Sequence, residues 1–162
     1  MRSPLIRFID VSLSFIGLML AWPVFIVIYA LGKFDTGSPI FRQERVGKNG
    51  KPFTLIKFRT MPTSTASVAT HMVDSRSVTK LGSFLRKSKL DELPQLINVL
   101  RGEMSFVGPR PCLFNQEELI EERKKRGVLD VLPGITGLAQ VNGVDMSIPQ
   151  KLACLDAEMI ET

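Results

Sequence analysis

From Val11 to Gly32 the chain carries no charged residue. As a helix rising ~1.5 Å per residue, such a run would cover a bilayer core of roughly 30 Å. It is longer than the apolar part of a typical signal peptide, and no convincing small-x-small cleavage site follows it. A chain of 162 residues is also too small to wrap an all-apolar helix on every side. The run therefore predicts a membrane segment. Two details argue against a simple span. Pro23 stands at the middle of the run, where a proline removes a backbone hydrogen bond and kinks the axis. Basic residues flank both ends, Arg2 and Arg7 before it and Lys33, Arg42, Arg45 and Lys48 after it. Basic flanks favour the cytoplasmic side. The expectation is a helix-break-helix that enters and leaves one face, with a straight span as the alternative.

The remainder reads as a soluble domain. The membrane anchor is expected over residues 1–35 and the soluble domain over 36–162. Ile40–Val46 and Pro52–Arg59 read as strands joined by Gly47-Lys48-Asn49-Gly50, in which Asn-Gly is a strong hairpin signal. Alternation places Phe53, Leu55, Lys57 and Arg59 on one side. Pro62–Ser77, rich in Ser and Thr, reads as a long mobile loop. Val78–Lys87 suits a short amphipathic helix. Ser88 can cap the next helix, with Asp91 three residues on, and Leu90, Leu93, Leu96, Ile97 and Leu100 give it an apolar stripe. Pro94 is tolerable there if that helix starts late, near Asp91. Gly102 is a natural stop. Asn115–Arg126 reads as a charged, solvated helix, Leu132–Gly137 as a turn-rich connector and Pro149–Glu161 as a closing helix. The fold class expected is α+β, a small and mostly helical domain with a short β-hairpin and interfacial amphipathic helices.

The net charge of +5 favours anionic partners. Aromatic residues outside the apolar run are limited to Phe, so nucleic-acid binding is not expected. Cys112 and Cys154 form no disulfide framework and are expected to be reduced. The single histidine, His71, argues against a His-based zinc site or a Ser-His-Asp triad. Among the charged residues, adjacent Asp91 and Glu92 stand amid Lys80, Arg86, Lys87, Lys89, Arg101 and Arg110. Acidic residues commonly serve a helix N-terminus. The functional alternative is a carboxylate that attacks phosphorus, with a neighbour that accepts a proton or holds a metal. Arg110 lies in the stiff frame Gly108-Pro109-Arg110-Pro111, and its planar fork suits phosphate oxygens. No dinucleotide fingerprint or P-loop is present, so side chains and helix N-termini must bind any phosphate.

Five ordered motifs go further: Phe41-Arg42-Gln43-Glu44-Arg45-Val46-Gly47, Lys57-Phe58-Arg59-Thr60-Met61, Leu90-Asp91-Glu92-Leu93-Pro94-Gln95, Ser105-Phe106-Val107-Gly108-Pro109-Arg110-Pro111 and the run from Pro133 to Gly143. Together they resemble the bacterial sugar transferase family, monotopic polyprenyl-phosphate phosphoglycosyl transferases. The likeness is to the small members that carry the catalytic domain alone. The resemblance implies transfer of a phospho-sugar from a UDP-sugar to polyprenyl (undecaprenyl) phosphate with release of UMP. This would be the first membrane step of O-antigen, capsule, exopolysaccharide or glycoprotein-glycan synthesis. It implies Asp91 as the nucleophile of a ping-pong reaction, Glu92 as its assistant, and Mg2+ beside Asp91. Lys57, Arg86 and Arg110 match phosphate-holding positions, and Arg59 is placed with them as a substrate-binding candidate. Pro23 matches the break in the membrane helix. The implied location is the bacterial inner membrane with the domain on the cytoplasmic face. The implied partners are a UDP-sugar, polyprenyl phosphate, membrane lipid and, as an open alternative, a second copy of the chain. A catalytically idle membrane scaffold is the competing reading, and the intact acidic pair favours the enzyme.

Overall fold

A computed structural model of the chain describes residues 4–65, 77–144 and 146–161. His71 and most of the Pro62–Ser77 loop lie outside the described residues. The chain mixes helices with short strands, and a long apolar helix comes first. Helix α1, Pro4–Thr36, runs for 33 residues, and its helical structure continues through Pro23. The expected break is therefore not present in the secondary structure. Pro23 is exposed, and its missing N–H leaves the Met19 carbonyl without a helical donor. Strands β1 (Ile40–Val46) and β2 (Pro52–Phe58) pair antiparallel, with Val46 opposite Pro52 and Phe41 opposite Lys57. A single 3-10 turn joins them. Asn49 at φ 57° and Gly50 at φ 73° supply the left-handed conformations that this turn requires.

Helix α2, Lys80–Ser88, starts at Thr79, whose hydroxyl accepts from Gly82 N at 2.9 Å. Ser88 was expected to cap the following helix. It instead ends α2, with its hydroxyl turned back onto the Phe84 and Leu85 carbonyls. Lys89 then takes a left-handed conformation, Leu90–Glu92 forms a 3-10 turn, and α3 (Gln95–Arg101) begins only after Pro94. The proline thus marks the entrance to α3, where a missing N–H does no harm. Gly102, at φ 81°, ends that helix as expected. Strand β3 (Ser105–Val107) and strand β4 (Gly134–Thr136) form a short parallel pair, and β4 lies inside the Leu132–Gly137 stretch that reads as a connector. Between them lie α4 (Glu117–Lys125) and a 3-10 turn at Val128–Asp130. Helices α5 (Leu138–Val141) and α6 (Pro149–Glu161) complete the chain. Helix α4 is not wholly solvated, because Leu119 and Arg123 are buried. Both cysteines are free, Cys112 buried and Cys154 exposed.

The core has three parts. Phe58, Ile28 and Leu85 join α1, β2 and α2. Phe53 and Leu55 pack with Val99 and Met104. Val46, Cys112, Leu119 and Leu152 hold the C-terminal helices against the hairpin. Strand β2 is covered on both faces, since Ile56 and Phe58 are buried as well as Phe53 and Leu55. Helix α1 touches this body along its length. Arg7 donates to the Val99 and Leu100 carbonyls at 2.6 and 3.0 Å, serving the C-terminus of α3. Buried Asp10 accepts from Ser105 Oγ at 2.7 Å and Phe106 N at 3.2 Å. Further on, the Phe25 ring lies 5.1 Å from that of Phe58, and Gly32 is buried close to Pro39. The other sides of α1 leave large apolar residues exposed, among them Phe8, Leu20, Trp22 and Phe34.

Candidate active site

Asp91 owes its place to the sharp exit from α2. The left-handed Lys89 turns the chain, and the 3-10 turn sinks the Asp91 carboxyl to 7 % exposure. Its Oδ1 is buried and has no hydrogen-bond partner among the described residues. Burial, and then the neighbouring Glu92, push the carboxyl above its usual range, while Lys57, Arg86 and Lys89 pull it back. A buried carboxylate oxygen left unpartnered beside cations is costly unless something binds it.

The cations arrive from separate elements. Arg86, on α2, donates from Nε to Thr60 Oγ1 at 2.9 Å. That contact depends on Gly82, because a Cβ there would stand 2.1 Å from the Thr60 carbonyl oxygen. Burial lowers the Arg86 pKa, and Asp91 opposes the shift. Lys57 comes from β2 and lies 5.5 Å from the centre of the Phe41 ring. Asn98, on α3 and fully buried, accepts from Ile56 N at 3.1 Å and donates to the Thr54 carbonyl at 2.7 Å. It locks the strand that carries Lys57 to the helix that follows Asp91. Arg110 projects from the loop after β3, and its Nη2 stands 3.5 Å from Glu92 Oε1.

A cleft beside this pair is lined by Arg45, Lys57, Gln95, Arg110 and Ile135. Arg45 is 5 % exposed and holds the Pro111 carbonyl at 3.1 Å and Gln43 Oε1 at 2.5 Å. Its Nε has no partner among the described residues. Burial first, then Arg110, lowers Arg45 to about 10. Burial, then Arg110 and Arg45, lowers Lys57 to about 8. Like charges held together and dehydrated make a site for an anion.

Lys57, Arg86 and Glu92 thus lie within electrostatic reach of Asp91, and Arg110 meets Glu92. Arg59 shares the Phe41 ring with Lys57. Its Nε donates to the Ser38 carbonyl at 2.8 Å and its guanidinium lies 5.3 Å from the Phe41 ring, at the junction of α1 and β1. Arg45 and Asn98 were not read as site residues. Arg45 stood within a recognised motif, but its partner Pro111 is 66 positions away. A divalent metal would find oxygen donors in Asp91 and Glu92. Among the described residues there is no group of three or more His, Cys, Asp or Glu side chains that could hold one unaided. Two adjacent carboxylates are a donor set of the kind through which Mg2+ binds together with substrate phosphates.

A family profile described as "Bacterial sugar transferase" matches residues 1–162. The chain belongs to the bacterial sugar transferase family. This sugar transferase is 43% identical over 138 residues to the uncharacterized sugar transferase EpsL of Bacillus subtilis, covering 85% of this chain and 68% of that one. It is 40% identical over 155 residues to the exopolysaccharide production protein ExoY of Rhizobium meliloti, again 85% of this chain and 68% of the relative. It is 44% identical over 151 residues to the UDP-glucose:undecaprenyl-phosphate glucose-1-phosphate transferase of Xanthomonas campestris pv. campestris, 87% of this chain but 30% of that protein. The chain thus spans about two-thirds of the shorter relatives and about a third of the longer ones.

The lowered Lys57 predicts a pH effect for this sugar transferase. With a folded pKa of about 8 in place of 10.5, Lys57 is cationic below pH 8 and loses its charge above it. For stability the sign is the reverse. The unfolded chain binds the extra proton between pH 8 and 10.5, so this group favours folding more as pH rises through that window. For an anionic substrate, kcat/KM should fall along an alkaline limb near pH 8, chiefly through KM. Lys57→Arg should move that limb upward. A profile of the parent that stays flat to pH 10 would show that Lys57 meets no anion.

Proposed function

We propose that this chain transfers a phospho-sugar from a UDP-sugar to polyprenyl phosphate through a covalent intermediate on Asp91. The observation that carries this reading is the buried, unpartnered Asp91 Oδ1 beside Lys57, Arg86 and Glu92. The Asp91 carboxylate attacks the β-phosphorus of the UDP-sugar. A bond forms from its oxygen to phosphorus, the bridging Pα–O–Pβ linkage breaks at the β-phosphorus, and UMP leaves with the bridging oxygen. Polyprenyl phosphate then attacks the same phosphorus, displaces the Asp91 carboxylate and yields the lipid-diphosphate sugar. Glu92 takes the proton of the incoming lipid phosphate, and Arg110 holds Glu92 in place. Lys57, Arg86 and Arg110 offset the diphosphate charge, so that an anionic nucleophile can approach. The Asp91 carboxylate would hold Mg2+, which when bound further neutralises the phosphates.

The names of several relatives specify UDP-glucose and undecaprenyl phosphate, and two name exopolysaccharide production. This chemistry joins a substrate that cannot leave the bilayer to one that cannot enter it, so the site must sit at the interface. Helix α1 supports that placement. Its outward faces are apolar and exposed, while Arg7, Asp10 and Gly32 all touch the body that follows Thr36. A helix tied near both ends to one domain keeps its N-terminus on that domain's side of the bilayer, so on this reading the N-terminus and the domain share the cytoplasmic face. A panel of UDP-glucose, UDP-galactose and UDP-N-acetylglucosamine with undecaprenyl phosphate and Mg2+ tests the reaction by UMP release. At least one donor should be consumed with ping-pong kinetics. Turnover that requires both substrates bound at once contradicts the covalent route.

A further inference from the structure

The loop that carries Arg110 is held by an unusual set of donors. Pro109 and Pro111 fix φ on either side of Arg110, but neither has an N–H with which to tie the loop down. Its carbonyls are taken instead. The Pro109 carbonyl accepts from Gly134 N at 2.9 Å and the Cys112 carbonyl from Val46 N at 2.9 Å. Between them, the Pro111 carbonyl accepts from Arg45 Nη1 at 3.1 Å, and the Arg110 carbonyl from Arg123 Nη1 at 2.8 Å. Arg45 lines the cleft, whereas Arg123 does not. Arg123 is 2 % exposed, on α4, and its Nε and Nη2 both donate to Asp156 Oδ2 on α6, at 3.0 and 2.7 Å. Asp156 is 1 % exposed.

We infer that Arg123 and Asp156 are a positioning pair, through which the C-terminal helix aims the Arg110 side chain at Glu92 and at the substrate phosphate. The inference rests on the function proposed above. A buried ion pair is a poor source of stability, since apolar residues of similar volume often serve as well. Here its geometry does something that apolar residues cannot. Asp156 occupies two guanidinium nitrogens and so leaves the third directed at the carbonyl of the residue that meets Glu92. Without that donor the peptide between Arg110 and Pro111 can rotate, and the guanidinium loses its fixed origin.

The test pairs an apolar replacement with Arg110→Ala. Arg123→Met alone would leave a buried, unpaired Asp156 and risk unfolding. The double variant Arg123→Met/Asp156→Leu removes both charges together and so is compatible with folding. Activity is UMP release with undecaprenyl phosphate from whichever donor of the panel above the parent consumes, and thermal unfolding monitors the fold. The double variant should unfold within a few degrees of the parent, yet lose about tenfold to a hundredfold in kcat/KM with KM raised, as a displaced binding group does. In an Arg110→Ala background the same pair of changes should cost nothing further. Asp156→Asn, which keeps the shape and an acceptor oxygen, serves if the apolar pair does not purify. It should show a smaller loss that likewise vanishes with Arg110→Ala. A folded variant with parental kcat/KM overturns the positioning role. So does a loss that multiplies with that of Arg110→Ala. If Arg110→Ala itself matches the parent, Arg110 has no part in the site and the inference falls with it, while the covalent role of Asp91 remains separately testable.

Discussion

Asp91→Asn should lose turnover on the order of 10⁴-fold or more, the range seen when a covalent nucleophile is removed, while keeping its fold. Asparagine matches aspartate in shape but cannot attack phosphorus. The fold should tolerate it, because burial, the largest influence on Asp91, disfavours the charged form. The sign follows from that. A carboxyl whose folded pKa lies above its ordinary value of 3.8 binds its proton more tightly in the folded chain, so stability from this group falls as pH rises through that window. Near neutral pH the carboxylate is therefore a net cost to folding, and a neutral amide relieves it. Lys57 and Arg86 lose a partner in the exchange, which offsets part of the gain. The expected result is an unfolding temperature equal to or above that of the parent, with almost no UMP release. Such a trade of stability for activity is common at reactive sites. Retained turnover, or inactivity accompanied by a large fall in unfolding temperature, would point to a structural carboxylate instead.

Asp10→Ala should destabilise the chain by about 3 kcal/mol, because it strips a charged, buried acceptor from two donors. Those donors are Ser105 Oγ and Phe106 N. Both belong to β3, which leads directly into the Arg110 loop, so part of the damage should appear as lost activity. The same contact bears on topology. Arg7 and Asp10 lie at the start of α1, yet they are bonded to the domain that follows its end. A cysteine at Ser3, in a background lacking Cys112 and Cys154, should therefore resist an impermeant thiol reagent in sealed cells. Labelling from outside would mean that α1 spans and that the Arg7 and Asp10 contacts do not form in the membrane.

What the sequence made legible is mostly local. Asn49-Gly50 announces the hairpin because few residues accept left-handed backbone, and Gly102 announces a helix end for the same reason. The closing helix is found over the residues expected for it. The acidic pair, Lys57 and Arg110 are legible because they stand in ordered motifs. What escaped depends on partners distant in the chain. Strands β3 and β4 are too short for any alternation to show, and they meet because Gly108 and Gly134 allow backbones to touch: a Cβ on Gly134 would stand 2.1 Å from Gly108 N. In Glu117–Lys125 the charge density reads as solvated, and nothing local distinguishes Arg123 from its neighbours until Asp156 is brought against it. Ser88 has the composition of a cap, but Lys89 turns the chain before that cap can be used. Pro23 has the composition of a break, yet α1 carries it on an exposed side without interruption.

The most direct test of the account is the intact mass of the protein after incubation with its donor UDP-sugar and Mg2+, with no lipid acceptor present. The account predicts a species heavier by one phospho-sugar, formed with release of an equal amount of UMP, absent in Asp91→Asn, and discharged on addition of undecaprenyl phosphate. An adduct that persists in Asp91→Asn, or a parent that turns over both substrates without ever forming one, would contradict it.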